Sequence, residues 1–208
     1  MADETGPPEG APEGAEAPST VRRLDTPDSG ELAQLSAVFE DLQYVLRCCE
    51  HLVGALSTPR PDPVLVEALW TGALVGYVRC FSGRTKILTD ADVETLELED
   101  EVANFHKTFP TLRDHYASRH VNPREAFTIG IAQSNDGRPT GVAVVSAPRP
   151  PVDDTTVRVL GRVAYALSGL VDARMQESQA KVLDAAKQMT PAQLAELPLV
   201  HLSETPVG

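Results

Sequence analysis

The feature that most constrains the fold is an apolar seam that runs without a break from Leu32 to Leu56. Its members follow one another at alternating steps of three and four residues: Leu32, Leu35, Phe39, Leu42, Leu46, Cys49, Val53 and Leu56. An α-helix places residues with this spacing along one face, whereas a strand requires strict alternation. The seam therefore predicts a long amphipathic helix that begins after an N-cap at Asp28 or Ser29.

The apolar face of this first helix has two interpretations. Val38, Val45 and Leu52 broaden the seam, so the face serves either the core of the domain or a partner helix from a second copy of the chain. The proline-rich run from Thr58 to Pro63 ends the helix and makes a stiff link to the next one.

A second helix, from Val64 to about Phe81, is apolar on nearly all sides. A helix without a polar face is usually enclosed, so we predict that it is the central, buried helix. Gly72 and Gly76 lie one turn apart and would let a neighbouring helix approach closely.

The third helical region is interrupted by a proline. It begins near Ala91, with Thr89 or Asp90 as the N-cap, and Pro110 is expected to kink or divide it. The sequence Val121-Asn122-Pro123 closes the region, because a residue that precedes proline is pushed out of the helical conformation.

A β-hairpin is predicted after this region. Phe127, Ile129 and Ile131 alternate with small or polar residues, Asn135-Asp136-Gly137 is a turn signal, and residues 142–145 form the returning strand. Two strands alone are only marginally stable, so the hairpin must lie against the helices or pair with another chain.

Asp153 or Asp154 then caps a long final helix. Its inward residues are Val157, Leu160, Ala164, Leu167 and Val171. The predicted fold is mainly α, a helical bundle of four to five helices with one β-hairpin inserted before a long C-terminal helix. The predicted organisation is a disordered acidic tail at 1–30, a single helical domain at 31–198 with the hairpin at 126–146, and a flexible C-terminus at 199–208.

Composition excludes several classes of function. The formal net charge of the 208-residue chain is −12, of which residues 1–30 contribute −5, so a nucleic-acid coat protein or a binder of anionic membranes is disfavoured.

Cys48, Cys49 and Cys80 lie in apolar runs, as is typical of buried thiols in a reducing cytosol. The absence of a spanning apolar run and of a signal pattern predicts a cytoplasmic protein without a membrane partner. No zinc spacing or phosphate loop occurs, so no cofactor is predicted.

The stretch from Phe105 to Pro123 concentrates ionisable side chains beside an apolar stripe. The stripe has helical spacing and consists of Val102, Phe105, Phe109, Leu112 and Tyr116. His106, Arg113 and His120 are seven residues apart, so in one continuous helix they drift by only about 20° per step and form a line. Arg offers a fixed fork for phosphate and His transfers protons near neutral pH, which predicts a phosphodiester site. The alternative is that the polar ends of these Arg and His side chains extend to water or bond backbone carbonyls.

Other charged residues extend this site or compete with it. Arg79 and Arg84 at the end of the second helix either complement the helix macrodipole or face the same phosphate as Arg113. The acidic runs at residues 90–92 and 97–100 could offer carboxylates to a metal ion, but such runs are more often solvated faces. We therefore predict no metal site.

Two stretches resemble the HEPN superfamily (higher eukaryotes and prokaryotes nucleotide-binding domains). One is Arg113-Asp114, a spacer, His120 and Val121-Asn122-Pro123, and the other is the apolar helix that leads through Tyr77 to Arg84. The resemblance spans residues 30–190. The seven-residue step from Arg113 to His120 is at the long limit of the family's spacing, and Arg119 stands where the relatives carry their histidine.

The resemblance implies a metal-independent ribonuclease of a toxin or phage-defence type. Arg113 would bind the scissile phosphate, and His120 would act as general base or acid for attack by the ribose 2′-hydroxyl. The further substrate-binding residues would be Arg79, Arg84, His106, His115, Tyr116 and Arg119. The implied partners are a second copy of the chain, RNA and a protein such as an antitoxin.

Many members of the superfamily are inactive, so the alternative is a non-catalytic dimeric helical scaffold or partner-binding module. The two hypotheses differ in what they expect of Arg113. A ribonuclease needs Arg113 and His120 to face a basic groove at a two-fold interface. A scaffold is expected to hold Arg113 in an internal ion pair, for example with Asp114 or Glu101.

Overall fold

The computed structural model describes residues 20–82, 86–96, 98, 100–117, 127–146 and 151–200. Its elements in chain order are α1 (Pro27–Leu56), α2 (Pro63–Cys80), α3 (Asp90–Glu94), α4 (Asp100–His106), α5 (Phe109–Ala117), β1 (Phe127–Gln133), β2 (Pro139–Ser146), α6 (Asp154–Lys187) and α7 (Pro191–Glu196). The predicted fold class is confirmed, because the chain is mainly helical and a hairpin precedes the long C-terminal helix.

Helix α1 begins earlier than the apolar seam predicts. Its N-cap is Thr26, which exchanges hydrogen bonds with Ser29 in a capping box, and Pro27 occupies the first helical position. Proline suits that position because its missing N–H is one that the helix leaves unpaired anyway. The predicted N-cap at Asp28 or Ser29 is therefore wrong, since Ser29 is the reciprocal partner of the cap.

The central helix is α1 rather than α2. Helix α1 packs along α6 on one side and α2 on the other, whereas α2 packs mainly on α1 and α5. The α1 residues buried in these contacts are Leu35, Leu42, Val45, Cys48, Cys49 and Leu52. The first turn of α2 is open to solvent, with Val64 at 74% and Leu65 at 48% exposure, so the prediction that α2 is the enclosed helix is wrong. In the described part of the chain no helix is long and apolar enough to cross a bilayer.

Helices α1 and α2 approach closely at two glycines, as predicted. A Cβ atom added to Gly76 would lie 3.1 Å from Cγ2 of Val45, and one added to Gly72 would lie 2.7 Å from the Tyr44 hydroxyl. A contact at either distance is closer than a side chain tolerates without a shift of its neighbour. The glycines therefore set the spacing between the two helices.

The third helical region is divided into α3, α4 and α5. Helix α4 ends at His106, and a turn with a hydrogen bond of 2.8 Å from Thr108 N–H to the Phe105 carbonyl separates it from α5. Pro110 lies in the first turn of α5, where a missing N–H is tolerated. The predicted division is confirmed, but the single continuous helix that would align His106 with Arg113 does not exist.

Helix α6 carries the second half of the core. Asp153 is its N-cap, as predicted, and accepts a hydrogen bond of 2.8 Å from Thr156 N–H. The inward residues that the sequence predicts are all fully buried: Val157, Leu160, Ala164, Leu167 and Val171. After α6 ends, a capping box between Thr190 and Gln193 starts α7.

The two ends of the described chain pair with each other. Val200 N–H donates to the Val21 carbonyl at 2.9 Å, and Arg23 N–H donates to the Pro198 carbonyl at 2.8 Å. The disordered tail predicted for residues 1–30 therefore differs from the structure, since residues 20–26 are paired or capped and α1 starts at Pro27. Residues 1–19 and 201–208 lie outside the described residues.

Strands β1 and β2 form the predicted antiparallel hairpin. Phe127 pairs with Ser146 and Ile131 with Val142, and a bulge follows at the turn end of the ladder. Gly137 closes the turn with a φ of 80°, a left-handed conformation that glycine adopts without strain. No described helix packs extensively against either strand.

Candidate functional site

The described part of the chain contains only some of the predicted ribonuclease site. The predicted members with described side chains are Arg79, His106, Arg113 and Tyr116. The predicted members outside the described residues are Arg84, Arg119 and His120. For His115 only the backbone in α5 is described. The geometry that joins Arg113 to His120 therefore stays a prediction.

His106 lies in the interior between two partners. The Tyr77 hydroxyl is 2.6 Å from its Nδ1 atom, and its Nε2 atom is 3.2 Å from Oδ1 of Asp90. Both contacts are satisfied when Tyr77 donates to Nδ1 and Nε2–H donates to the carboxylate, which corresponds to one tautomer of the neutral ring. Burial raises the pKa of Tyr77, so its hydroxyl stays protonated and remains a donor.

This network makes His106 a packing residue. Only 7% of the His106 residue is exposed. The centroid of the Phe81 ring lies 4.8 Å from the centroid of the His106 ring. Both ring nitrogens of His106 have a partner, and little of the ring is accessible, although the Asp90 side chain that Nε2 contacts is itself exposed. The role in substrate binding predicted for His106 does not fit this position.

Arg113 is held by the residue that follows it. Its Nε–H donates to Oδ1 of Asp114 at 2.8 Å, and a second guanidinium nitrogen contacts the same oxygen. The pair is at the surface, with 35% of the Arg113 side chain and 39% of the Asp114 side chain exposed. The scaffold hypothesis expects Arg113 to pair with Asp114, although it expects that pair to be internal and here it lies at the surface.

Tyr116, in the last turn of α5, faces the core rather than an open groove. It is half-buried and shares a hydrogen bond with Trp70 of α2, and burial raises its pKa. The phenol is thus a neutral group that fastens α5 to α2, which is the pair of helices that pack together here.

Arg79 connects α2 to α1. Its Nε atom lies 3.5 Å from Oδ2 of Asp41, whose side chain is 22% exposed, while the Arg79 side chain is 66% exposed. The position at the end of α2 also suits a cation, because the carbonyl end of a helix is negative. Both observations favour the helix-end interpretation of Arg79 over a phosphate contact.

The acidic runs do not form a metal centre in the described part of the chain. Asp92 accepts hydrogen bonds from Arg174 and from Thr89, so its carboxylate is occupied. Burial raises the pKa of Asp92, but those hydrogen bonds lower it by more, and the net shift is downward. No group of three metal-ligating side chains occurs among the described residues. Glu97 and Glu99 lie outside them.

The hairpin, for which the sequence leaves packing on the helices and pairing with another chain as alternatives, has an exposed apolar surface. Cross-strand pairing and alternation place five large apolar side chains on one side of the hairpin, which we call the hairpin's apolar face: Phe127, Ile129, Ile131, Val142 and Val144. Their exposure lies between 56% for Phe127 and 68% for Val142. The signal was present in the sequence as alternation in both strands, but alternation does not reveal whether anything covers the face.

Comparisons with protein-family models, with curated proteins and with solved structures find no match to this chain. The HEPN relationship accordingly stays a prediction from the residues in the Arg113 and Tyr77 stretches. The function is inferred below from the exposure, pairing and charge of the described side chains.

Proposed function

We propose that the protein is a non-catalytic helical scaffold that forms a homodimer through its β-hairpin. The observation that carries the proposal is the hairpin's apolar face, on which every side chain is more than half exposed. Monomeric soluble proteins rarely present a contiguous apolar patch of this kind unless another molecule covers it.

The hairpin by itself lacks the support that a sheet needs. Two strands are marginally stable in water without a further strand or a packed layer, and no described helix provides that layer. In the sheet formed by the described residues both strands are also edges, so each presents backbone N–H and C=O groups that another strand could pair. Docking with a partner would supply both a covering layer and a pairing edge.

Charge favours a second copy as that partner. Neither β1 nor β2 contains an Asp, Glu, Lys, Arg or His residue, although the whole chain carries a formal net charge of −12. Two copies repel each other over most of their surface, and the neutral hairpin is a place where they can touch without juxtaposing like charges. A two-fold axis then brings the same apolar face together with itself.

The available area is sufficient for a specific dimer. If each side chain of the hairpin's apolar face offers on the order of 100 Å², two copies together bury about 1,000 Å², where specific interfaces begin. Pairing of backbone edges adds to that area. The expected dimer is therefore of moderate affinity and dissociates on dilution.

The contacts of Arg113, a predicted catalytic residue, and of His106, a predicted substrate-binding residue, agree with a scaffold. Arg113 is paired with Asp114, and His106 contacts Tyr77 and Asp90. These side chains are used to hold the fold together. A phosphodiester site requires them to be free.

The dimer is tested by one pair of variants on adjacent residues of β2. Val144 belongs to the hairpin's apolar face, whereas Val145 points to the opposite face at a similar exposure of 59%. Val144→Thr and Val145→Thr make the same chemical change on opposite sides of one strand. We expect Val144→Thr to weaken the dimer about tenfold or more in sedimentation velocity, because each dimer loses two apolar contacts, and Val145→Thr to leave it intact. A wild-type monomer at all concentrations, or equal behaviour of the two variants, contradicts the proposal.

A metal-independent ribonuclease is the second candidate, because about a third of the Arg113 side chain remains exposed and the HEPN resemblance includes it. The decisive assay incubates labelled RNA in EDTA with wild type, Arg113→Ala and His120→Ala. A scaffold leaves the RNA intact in all three reactions. Cleavage by wild type that is lost in both folded variants would establish the enzyme and overturn the non-catalytic assignment.

A further inference from the structure

A largely apolar cavity of about 620 Å³ lies where the two ends of the described chain meet. It is an open cavity lined by residues 20–24, the start of α1, the last turns of α6, and α7. The apolar side chains that line it include Leu24, Leu32, Val182, Ala186, Leu194 and Leu197. Cavities of 300–1,000 Å³ with mostly apolar walls and few polar groups are typical of small-molecule sites.

Arg22 is the one ionisable side chain among the described residues that line this cavity. Its Nη1 atom donates to the carbonyls of Ala195 at 2.6 Å and Leu197 at 2.7 Å. These carbonyls close α7, so the guanidinium is fixed in place by one nitrogen. Among the described residues it contacts carbonyl oxygens and no carboxylate, so its charge is not neutralised within that part of the chain.

We propose that this cavity binds a monoanionic amphiphile with the chemistry of a medium-chain fatty acid. The alkyl chain lies along the leucine, valine and alanine walls, where it is removed from water. The carboxylate pairs with the guanidinium of Arg22, whose Nε and Nη2 atoms offer the parallel donors that a carboxylate accepts. An acid fits better than a neutral lipid because Arg22 gives this otherwise uncharged wall a positive charge.

Arg23 provides a matched control. It follows Arg22 on the same segment, but its guanidinium pairs with Asp25, 65% of its side chain is exposed, and it does not line the cavity. Arg22→Gln and Arg23→Gln therefore remove the same charge from inside and outside the site. Ala186→Phe places a bulky ring in the cavity and leaves both arginines in the chain.

The experiment measures displacement of dansylundecanoic acid from the full-length chain by dodecanoate, with dodecanol as the uncharged comparison. We expect saturable binding, about tenfold weaker for dodecanoate in Arg22→Gln and unchanged in Arg23→Gln, since one charge-assisted contact is lost. Dodecanol should bind equally to wild type and Arg22→Gln, and Ala186→Phe should abolish binding of both.

Circular dichroism establishes that each variant is folded before the affinities are compared. Lack of saturable binding to the wild type overturns the proposal. Equal affinities of Arg22→Gln and Arg23→Gln for dodecanoate overturn the pairing with the carboxylate, and undiminished binding to folded Ala186→Phe overturns the location.

Discussion

Tyr77 and His106 are joined in the interior by a hydrogen bond of 2.6 Å between the phenol oxygen and Nδ1. The bond connects α2 to α4, which are separated in sequence by residues 81–99, α3 among them. Both side chains are at most 7% exposed, so water cannot replace either partner. The contact fixes the rotation of α4 and thereby turns His106 away from solvent.

Removal of the Tyr77 hydroxyl should destabilise the fold. Tyr77→Phe leaves Nδ1 of His106 buried without a donor, which costs about 1–3 kcal/mol in the free energy of unfolding. Urea denaturation followed by Trp70 fluorescence measures the change. Tyr165→Phe is the control, because Tyr165 is 73% exposed and its substitution should change stability by less than about 0.5 kcal/mol. Equal stabilities of the two variants would show that the interior bond contributes nothing.

Asp92 should make the free energy of unfolding decrease at acidic pH. The pKa of Asp92 is lowered in the folded state because hydrogen bonds from Arg174 and Thr89 outweigh the effect of burial. A carboxylate with a lowered pKa stabilises the fold above its unfolded pKa of about 3.9, and that contribution disappears as the pH falls through the folded pKa. Wild type should therefore lose more stability between pH 7 and pH 3 than Asp92→Asn does.

Urea denaturation at both pH values provides the comparison. Asp184→Asn serves as its control, since Asp184 pairs with Lys187 in an exposed contact on the last turn of α6. Asp184→Asn should follow the wild-type pH dependence, because exposed ion pairs contribute little. If Asp92→Asn follows it too, Asp92 is not the linked group.

The thiols should be unreactive while the protein is folded. Burial raises the pKa values of Cys49 and Cys80 to about 12 and also raises that of Cys48, and all three cysteines are free and buried. The thiolate is the nucleophile, so a disulfide reagent at pH 8 should titrate almost no thiol in the native protein and all three in urea. If even one thiol per chain reacts rapidly in the native protein, one of the three cysteines becomes exposed while the protein is folded.

Two glycine-to-alanine substitutions should change the stability of the protein in opposite directions. In Gly76→Ala the new methyl group meets Cγ2 of Val45 at 3.1 Å, and the overpacking of a fully buried neighbour should cost about 1–3 kcal/mol. In Gly169→Ala nothing lies within 4 Å, so the gain in helix propensity should stabilise the protein by up to about 1 kcal/mol. Thermal melts of both variants give the signs. A stabilising Gly76→Ala would mean that α1 and α2 can separate at no cost.

Sequence reasoning succeeded where a local signal determines a local structure. The sequence predicts Asp153 or Asp154 as the cap of α6, and the cap is Asp153; the three-four spacing from Val157 to Val171 predicts residues that are fully buried. Asn135-Asp136-Gly137 placed the hairpin turn, because few other residues adopt the positive φ found at Gly137.

The same reasoning failed at His106 for a physical reason. Phe105 and Phe109 keep helical spacing across the turn between α4 and α5, since both helices direct apolar residues inward. The apolar periodicity therefore continues through the break that Pro110 predicts, and the straight line from His106 to Arg113 requires a single helix that the structure does not have. Residue spacing also gives no indication that Tyr77, which is distant in sequence, forms a hydrogen bond with the His106 ring.

The pairing of residues 21–23 with residues 198–200 brings Thr20 and Val200 close together. Polypeptide added before Thr20 and polypeptide added after Val200 both emerge at the same corner of the fold. A short linker between these residues should allow a circular permutant that opens in the exposed loop after α1. Labels inserted beside Thr20 and beside Val200 would therefore sit next to each other.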